Sequence, residues 1–322
     1  MPHINYKLLI PERQSGGVES YSLELYDQML AEKKQVKLLY LDDFSAGKTI
    51  FHYVINLRKI LKIVRKNDVV ISHGQFGLIA LFRPNILIIH GHPLDYFYKA
   101  SSLARKLRIR SIVLAYCDYF ADLISIYFSQ KIIFVSEHVK ESFKSFLPSS
   151  KKVFVNHSTK YHFVEYIKPS VKYFAVISNA VYAKGLDRLQ IFVNSYHLKC
   201  DVAGISVDSI SSNLNYLGRL GSTEIHELNK VGSVLIHLSR YEGLPLVVLQ
   251  ALSMSCNCIV IKSEWSNIFS GLRSVLVLEE NDLIYSKEVA NLISALNDNN
   301  LSVLKEDYLR LDQKIKAIHD AI

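Results

Sequence analysis

Strand-length apolar runs alternate with helix-length amphipathic segments along the whole chain, and the series starts twice. KLLI (7–10) is followed by a helical ESYSLELYDQML and then VKLLYL (36–41). After the helical IFHYVINLRKILKIVRK come DVVIS (68–72), ILIIH (86–90), a long helical stretch, KIIFVS (131–136) and VFVNH (153–157). The second series opens with YFAVIS (173–178), the helical KGLDRLQIFVNSYH, CDVAGIS and NLNYLG. SVLIHLS (233–239), a further helix and CIVIKS (258–263) complete it. Runs of this kind, apolar on both faces and separated by helices, predict parallel sheets covered on both sides. The expected fold is α/β, with two doubly wound Rossmann-like domains and a crevice between them. We expect the domains at 1–165 and 166–305, joined through EYIKPS (165–170), where Pro169 interrupts helix. An amphipathic helix is expected at 306–322.

The charge of +8 is uneven. Residues 1–165 hold 23 Lys+Arg against 14 Asp+Glu, a net of +9, whereas the remainder is close to neutral. A basic half points to an anionic partner: a phosphorylated ligand, an anionic membrane surface or nucleic acid. No nucleic-acid-binding signature accompanies the charge, so nucleic acid is not expected. The apolar window 109–128 contains Asp118 and Asp122, which argue against a membrane span and for a buried or interfacial helix. The start of the chain carries no secretion pattern. Cys117, Cys200, Cys256 and Cys258 fit neither a disulfide framework nor a zinc site. The expected location is therefore cytoplasmic, with reduced thiols.

In open α/β sheets, ligands bind beyond the carboxyl ends of strands, where helix N-termini attract anions. Four loops qualify. In QSGGVES (14–20), Gly16 and Gly17 permit close backbone approach, although a Gly-Gly pair is also an ordinary turn. In IIHGHP (88–93), His90 ends a strand and could bond a substrate hydroxyl or serve a structural role. His73 and His92 raise a metal site, but no acid or thiol stands at ligand spacing, and none is expected. In ISNAVYAKGLDRL (177–189), Lys184 precedes Gly185 at a helix start, suited to phosphate or simply solvated. In RYEGLPLVVLQAL (240–252), Glu242 stands at the mouth of a run whose one polar side chain is Gln250. A buried, unpaired amide would cost roughly 1–3 kcal/mol, so Gln250 should meet either a polar ligand or a nearby backbone group.

Together these segments resemble family-4 retaining glycosyltransferases of the GT-B fold. SRYEGLPLVVLQALSMSCNCIVI is similar to that family's acid-Gly-x-Pro signature, with a second acid eight residues on. AVISNAVYAKGLDRL resembles the strand-loop-helix that grips the donor diphosphate, and the Gly-Gly loop, IIHGHP, IIFVSEHVKESF and VFVNHSTKYHF resemble further landmarks. The resemblance implies sugar transfer from a UDP- or GDP-linked donor to a saccharide or lipid-linked acceptor, with retention and without cofactor or metal. It implies work in bacterial-type surface polysaccharide or glycolipid synthesis, peripheral to the inner face of the cell membrane. Glu242 matches the acid that holds a donor-sugar hydroxyl and His90 the histidine near that sugar. Lys184 matches the diphosphate lysine. Gly243 and Leu244 belong to the same donor loop, and Gly16 and Gly17 match the phosphate-approaching turn. The last helix, 306–322, would cross back to the first domain. The chain departs from the pattern at Gln250 (second acid), Asn179 (customary arginine), Asn156-His157 (Asn-Gly) and Ser255-Cys256-Asn257 (Gly-x-Pro). A degenerate GT-B protein that binds a glycan or partner without transfer is the alternative.

Overall fold

In a computed structural model, residues 5–11, 17–43, 50–149, 152–155, 162–166, 170–177, 180–206, 212–231 and 233–320 are described. They form two compact units. One comprises Met1–Tyr98, Leu103–Thr159 and Ile318–Ile322, the other Lys99–Ser102 and Lys160–Ala317.

The first domain runs β1 (Asn5–Ile10), α1 (Gly17–Ala31), β2 (Gln35–Tyr40), α2 (Ile50–Ile63), β3 (Val69–His73) and β4 (Asn85–Ile89). It continues with α3 (Pro93–Ala100), α4 (Leu103–Lys106), α5 (Ile109–Phe128), β5 (Lys131–Phe134), α6 (Glu137–Ser142) and β6 (Lys152–Val155). A 3-10 helix, Gly74–Leu81, links β3 to β4. All pairings are parallel, in the order β2-β1-β3-β4-β5-β6. Leu87, Ile88 and Ile89 of β4 are fully buried on both faces, as a helix-covered strand requires. A Cβ on Gly77 would lie 2.5 Å from Leu87 Cδ1 and 2.7 Å from Ser125 Cβ. Glycine there lets α5 pack close to the 3-10 helix.

The second domain runs β7 (Tyr173–Val176), α7 (Leu186–Ser195), β8 (Cys200–Ala203), β9 (Leu214–Gly218), α8 (Ser222–Val231) and β10 (Val234–His237). Then come α9 (Leu246–Ser253), β11 (Asn257–Ile261), β12 (Val275–Leu278), α10 (Lys287–Asn297) and α11 (Leu301–Asp320). Its parallel sheet is ordered β12-β11-β10-β7-β8-β9. The core joins Phe174, Phe192, Ile236, Val260, Trp265 and Phe269. Two doubly wound sheets are thus the architecture the sequence pattern led us to expect. Strand β12 was not foreseen.

Two boundaries differ from expectation. Residues 162–166 belong with the second domain because hydrogen bonds pin them there. Val164 N–H donates to Ser253 O at 2.7 Å, and Ser255 Oγ donates to Val164 O at 2.7 Å. Tyr166 N–H donates to Ser255 Oγ at 3.3 Å. The expected linker residue Pro169 lies outside the described residues. The last helix begins at Leu301, and its face of Leu304, Tyr308, Leu311 and Ile315 carries the apolar spacing of one helix side. Leu311, Tyr308 and Ile315 pack on the second domain's core, whereas the helix's last residues, from Ile318, are grouped with the first unit.

Candidate functional site

Each sheet reverses its winding once, and the strand ends flanking the reversal are where such folds bind ligands. In the second sheet the reversal falls between β7 and β10. The loop after β7 carries Lys184, and the loop after β10 carries Glu242. The two loops are fastened together: Arg240 N–H donates to Ala183 O at 2.8 Å and Ser239 Oγ to the same oxygen at 3.0 Å. Gly185, with φ +72°, makes the turn into α7. A Cβ there would sit 2.1 Å from Leu238 O, so only glycine lets the loops meet.

Glu242 is buried, with 9% of its surface exposed. Its Oε1 accepts from Lys184 Nζ at 2.6 Å and bonds His237 Nε2 at 3.0 Å. Burial disfavours the carboxylate, but the Lys184 ammonium and the His237 contact outweigh it and hold the carboxyl down at about 2. Glu242 is therefore an anion at neutral pH. His237 ends β10 and stacks edge-on against Trp265, with ring centroids 5.5 Å apart. Sequence inspection passed over His237, although a polar residue at the end of an apolar strand was the signal that picked out His90.

The guanidinium groups nearby are engaged. Arg188 forks onto Glu280 Oε1 and Oε2 and donates to Leu238 O, and Arg240 forks onto Asp187 at 2.8 and 2.6 Å while lying over the Tyr182 ring. Asn179 lies outside the described residues, as do Asn156 and His157. Gly243 and Leu244 are half-buried in the loop that leads to Pro245, which stands one residue before the helix rather than at its first position. Gln250 sits half-buried on α9, and among the described residues its side-chain amide has no hydrogen-bond partner. Ser255, in place of the customary glycine, adopts φ +59°.

In the first sheet the reversal lies between β1 and β3. Gly17 opens α1 and is exposed, whereas Gly16 lies outside the described residues. His73 ends β3, and its Nδ1 meets His90 Nε2 at 2.7 Å, while its Nε2 meets Ser22 Oγ at 2.9 Å. Ser22 has one hydroxyl proton and gives it to Val18 O at 2.7 Å. His73 Nε2 must then be the donor to Ser22, and neutral His73 accepts at Nδ1 from His90 Nε2–H. Neutral His90 is left with a bare Nδ1. Burial pushes His73 well below its usual range, and takes His90 to about 4. Both rings are uncharged near pH 7. His92 is different: its Nδ1 accepts from Asp95 N–H at 3.2 Å and its ring packs on Tyr119 and Phe143, a structural role at the start of α3. Among the described residues, no three His, Cys, Asp or Glu side chains form a metal-ligand cluster.

The fold that these two sheets define is GT-B. A sucrose-phosphate synthase from Thermosynechococcus elongatus superposes with a TM-score of 0.73 at 11% identity, covering 98% of this chain and 96% of that one. A UDP-forming alpha,alpha-trehalose-phosphate synthase from Burkholderia xenovorans, in complex with glucose-6-phosphate, gives 0.64 at 10% identity over 98% of each chain. A mutant of S. aureus TarM with fondaparinux, alpha-GlcNAc-glycerol and UDP gives 0.59 at 14% identity, over 83% of this chain and 56% of that one. No family model matches the sequence, and no curated protein does.

Proposed function

We propose that the chain is a glycosyltransferase that moves a sugar from a nucleoside-diphosphate donor to a saccharide or lipid-linked acceptor, with retention at the anomeric carbon. The observation that carries it is the Lys184–Glu242–His237 cluster: a cation beside a buried carboxylate at the strand ends flanking the second sheet's reversal. Solved proteins of the same fold were captured with UDP or named as UDP-forming, which supports a nucleotide sugar as donor.

In the proposed step the bond from anomeric carbon to phosphate oxygen breaks, and the acceptor oxygen bonds to that carbon. The acceptor proton passes to the departing diphosphate. Lys184 would then leave Glu242 in part to meet the negative charge that grows on the leaving group. Glu242, ionised at working pH, would hold a sugar hydroxyl. His90, with its bare Nδ1, would accept from another. Gln250 can both donate to and accept from ribose hydroxyls, and Gly243 and Leu244 shape the loop beneath the donor. Gly16, Gly17 and Asn179 are assigned to the diphosphate by the resemblance. The scheme assigns charge neutralisation to lysine rather than to a metal ion, and EDTA should leave turnover unchanged. Membership of family 4 and a place in surface polysaccharide or glycolipid synthesis at the cytoplasmic face belong to the same proposal.

The test is thermal-shift screening with UDP, GDP and their sugars. A donor at 100 times its dissociation constant should stabilise the protein by about 2.7 kcal/mol. Glu242→Gln should weaken the response to the sugar nucleotide more than the response to UDP or GDP alone. Silence across the panel would favour a non-catalytic GT-B protein.

A further inference from the structure

Helix α5, Ile109–Phe128, has two unlike faces. Its inner face buries Ala115, Ala121, Asp122, Ser125 and Ile126 against the first domain. Its outer face is apolar and uncovered: Ile109, Val113, Tyr116, Phe120, Ile124 and Tyr127 are all exposed, Ile109 at 78% and Tyr127 at 65%. Steps of three and four residues place these six on one stripe along the whole helix. Leu103 and Leu107, just before it, are exposed at 70% and 73%. A continuous apolar stripe of this length is not ordinary protein surface and marks an interaction site.

Charge says what covers it. Arg105, Lys106, Arg108 and Arg110 cluster at the N-terminal end of the stripe, three of them exposed and Lys106 half-buried. The acidic residues between 103 and 128 are Asp118 and Asp122, which lie one helical turn apart on the inward side, half-buried and buried. We propose that this face docks flat on an anionic lipid bilayer, with the stripe in the interfacial layer and the four cations against the headgroups. Two tyrosines in the stripe suit that depth, where a ring can be apolar on one side and wet on the other. The helix is long and apolar enough to cross a membrane. Crossing, however, would strip Asp118 and Asp122 from the domain and place them in hydrocarbon. A second copy of the chain is the poorer fit, since its own α4–α5 segment brings no outward acid to meet four cations.

Vesicle binding does not require a sugar or a nucleotide, so it stands or falls apart from the proposed reaction. The experiment is sedimentation of the full chain with phosphatidylglycerol-containing vesicles and with pure phosphatidylcholine vesicles. The protein should bind the former far better, and binding should weaken as salt rises. Removing three cations in Arg105→Gln/Arg108→Gln/Arg110→Gln should lower the partition coefficient about a hundredfold. Ile109→Ser/Phe120→Ser/Tyr127→Ser should abolish binding, with circular dichroism unchanged. Leu309→Ser, an exposed site on α11, should bind as the parent does. Equal binding to both vesicle types, or parental binding by the cation variant, would overturn the proposal. So would a concentration-dependent dimer that the serine variant dissolves, because it would assign the stripe to a second copy. Should the serine variant misfold, the cation variant and the salt series decide alone.

Discussion

Replacing Lys184 by methionine keeps the length of the side chain and deletes its charge. The Glu242 carboxyl sits at about 2, against an ordinary 4.5, so the folded state favours its anion by about 3 kcal/mol. A depressed carboxylate contributes stability that is fully present above its unfolded pKa and is lost as pH falls through the folded one. The window here runs from about 4.5 down to about 2. Without Lys184, burial is opposed by His237 and its carboxyl rises. The lysine side chain is 27% exposed, so solvent screens part of the interaction. We expect a loss of about 2 kcal/mol at neutral pH, or a fall in melting temperature of about 4–8 °C for a domain of this size.

The assay is built into the chain. Its single tryptophan, Trp265, lies in the second domain against the His237 ring, so fluorescence-detected urea unfolding reports the region that holds the pair. The difference between parent and variant should be greatest near pH 7 and shrink below about pH 5, as the variant's carboxyl protonates first. Acid-sensitive groups of the first domain, His73 and His90 among them, act equally in both proteins and cancel. Adding Glu242→Gln to the variant should recover part of the loss, because the unpaired buried charge goes with it. A loss under about 0.5 kcal/mol, or one that does not change between pH 7 and pH 4, would refute a buried ion pair at the centre of the site.

His73→Leu removes the acceptor that fixes His90, so donor kcat/KM should fall about tenfold, the worth of one hydrogen bond; nitrogen-15 NMR should show His90 moving from the Nε2–H tautomer to a mixture, and an unchanged tautomer would sink the proton count. Ser255→Ala deletes the hydroxyl that straps residues 164–166 to the second domain and should cost about 1–2 kcal/mol by urea unfolding, whereas Ser255→Gly should cost less because it relieves φ +59°. Gln250→Leu should leave stability nearly unchanged, since among the described residues the amide has no partner to lose, and should raise the donor KM more than it lowers kcat. A Gln250→Leu chain that is destabilised by several kcal/mol would show that the amide is structural.

The sheets were legible because their strands are apolar on both faces, a pattern that survives in composition alone: VVISH, NILII and NCIVI could hardly be anything else. Strand β12 (Val275–Leu278) escaped because VLVL lies in a segment without the surrounding helix rhythm. The domain boundary was misplaced by the weight given to Pro169. What fixes it is a pair of hydrogen bonds between Val164 and residues about ninety positions away, and no local pattern encodes those. Lys184 and Glu242 were found by one topological rule, that loops after parallel strands carry ligands. Their mutual contact was not, because the order of strands places β7 beside β10 and the sequence lists them far apart.

The same placement accounts for the histidines. His73 closes β3 and His237 closes β10, both nearly sealed from solvent at 3% exposure. Each has its ring against the side chain that the next loop or neighbouring strand presents: His90 in one domain, Glu242 in the other. A histidine at the end of an apolar strand thus acts in both domains as a rigid, buried hydrogen-bonding post. The post is anchored by the strand's own packing, while the group it holds stands nearer to solvent. Sequence reasoning that stops at the strand-end residue cannot tell the post from the group it supports. The distinction needs the partner atom. Among the described residues His90 keeps an unshared Nδ1, whereas the ring nitrogens of His73 are both committed to Ser22 and His90.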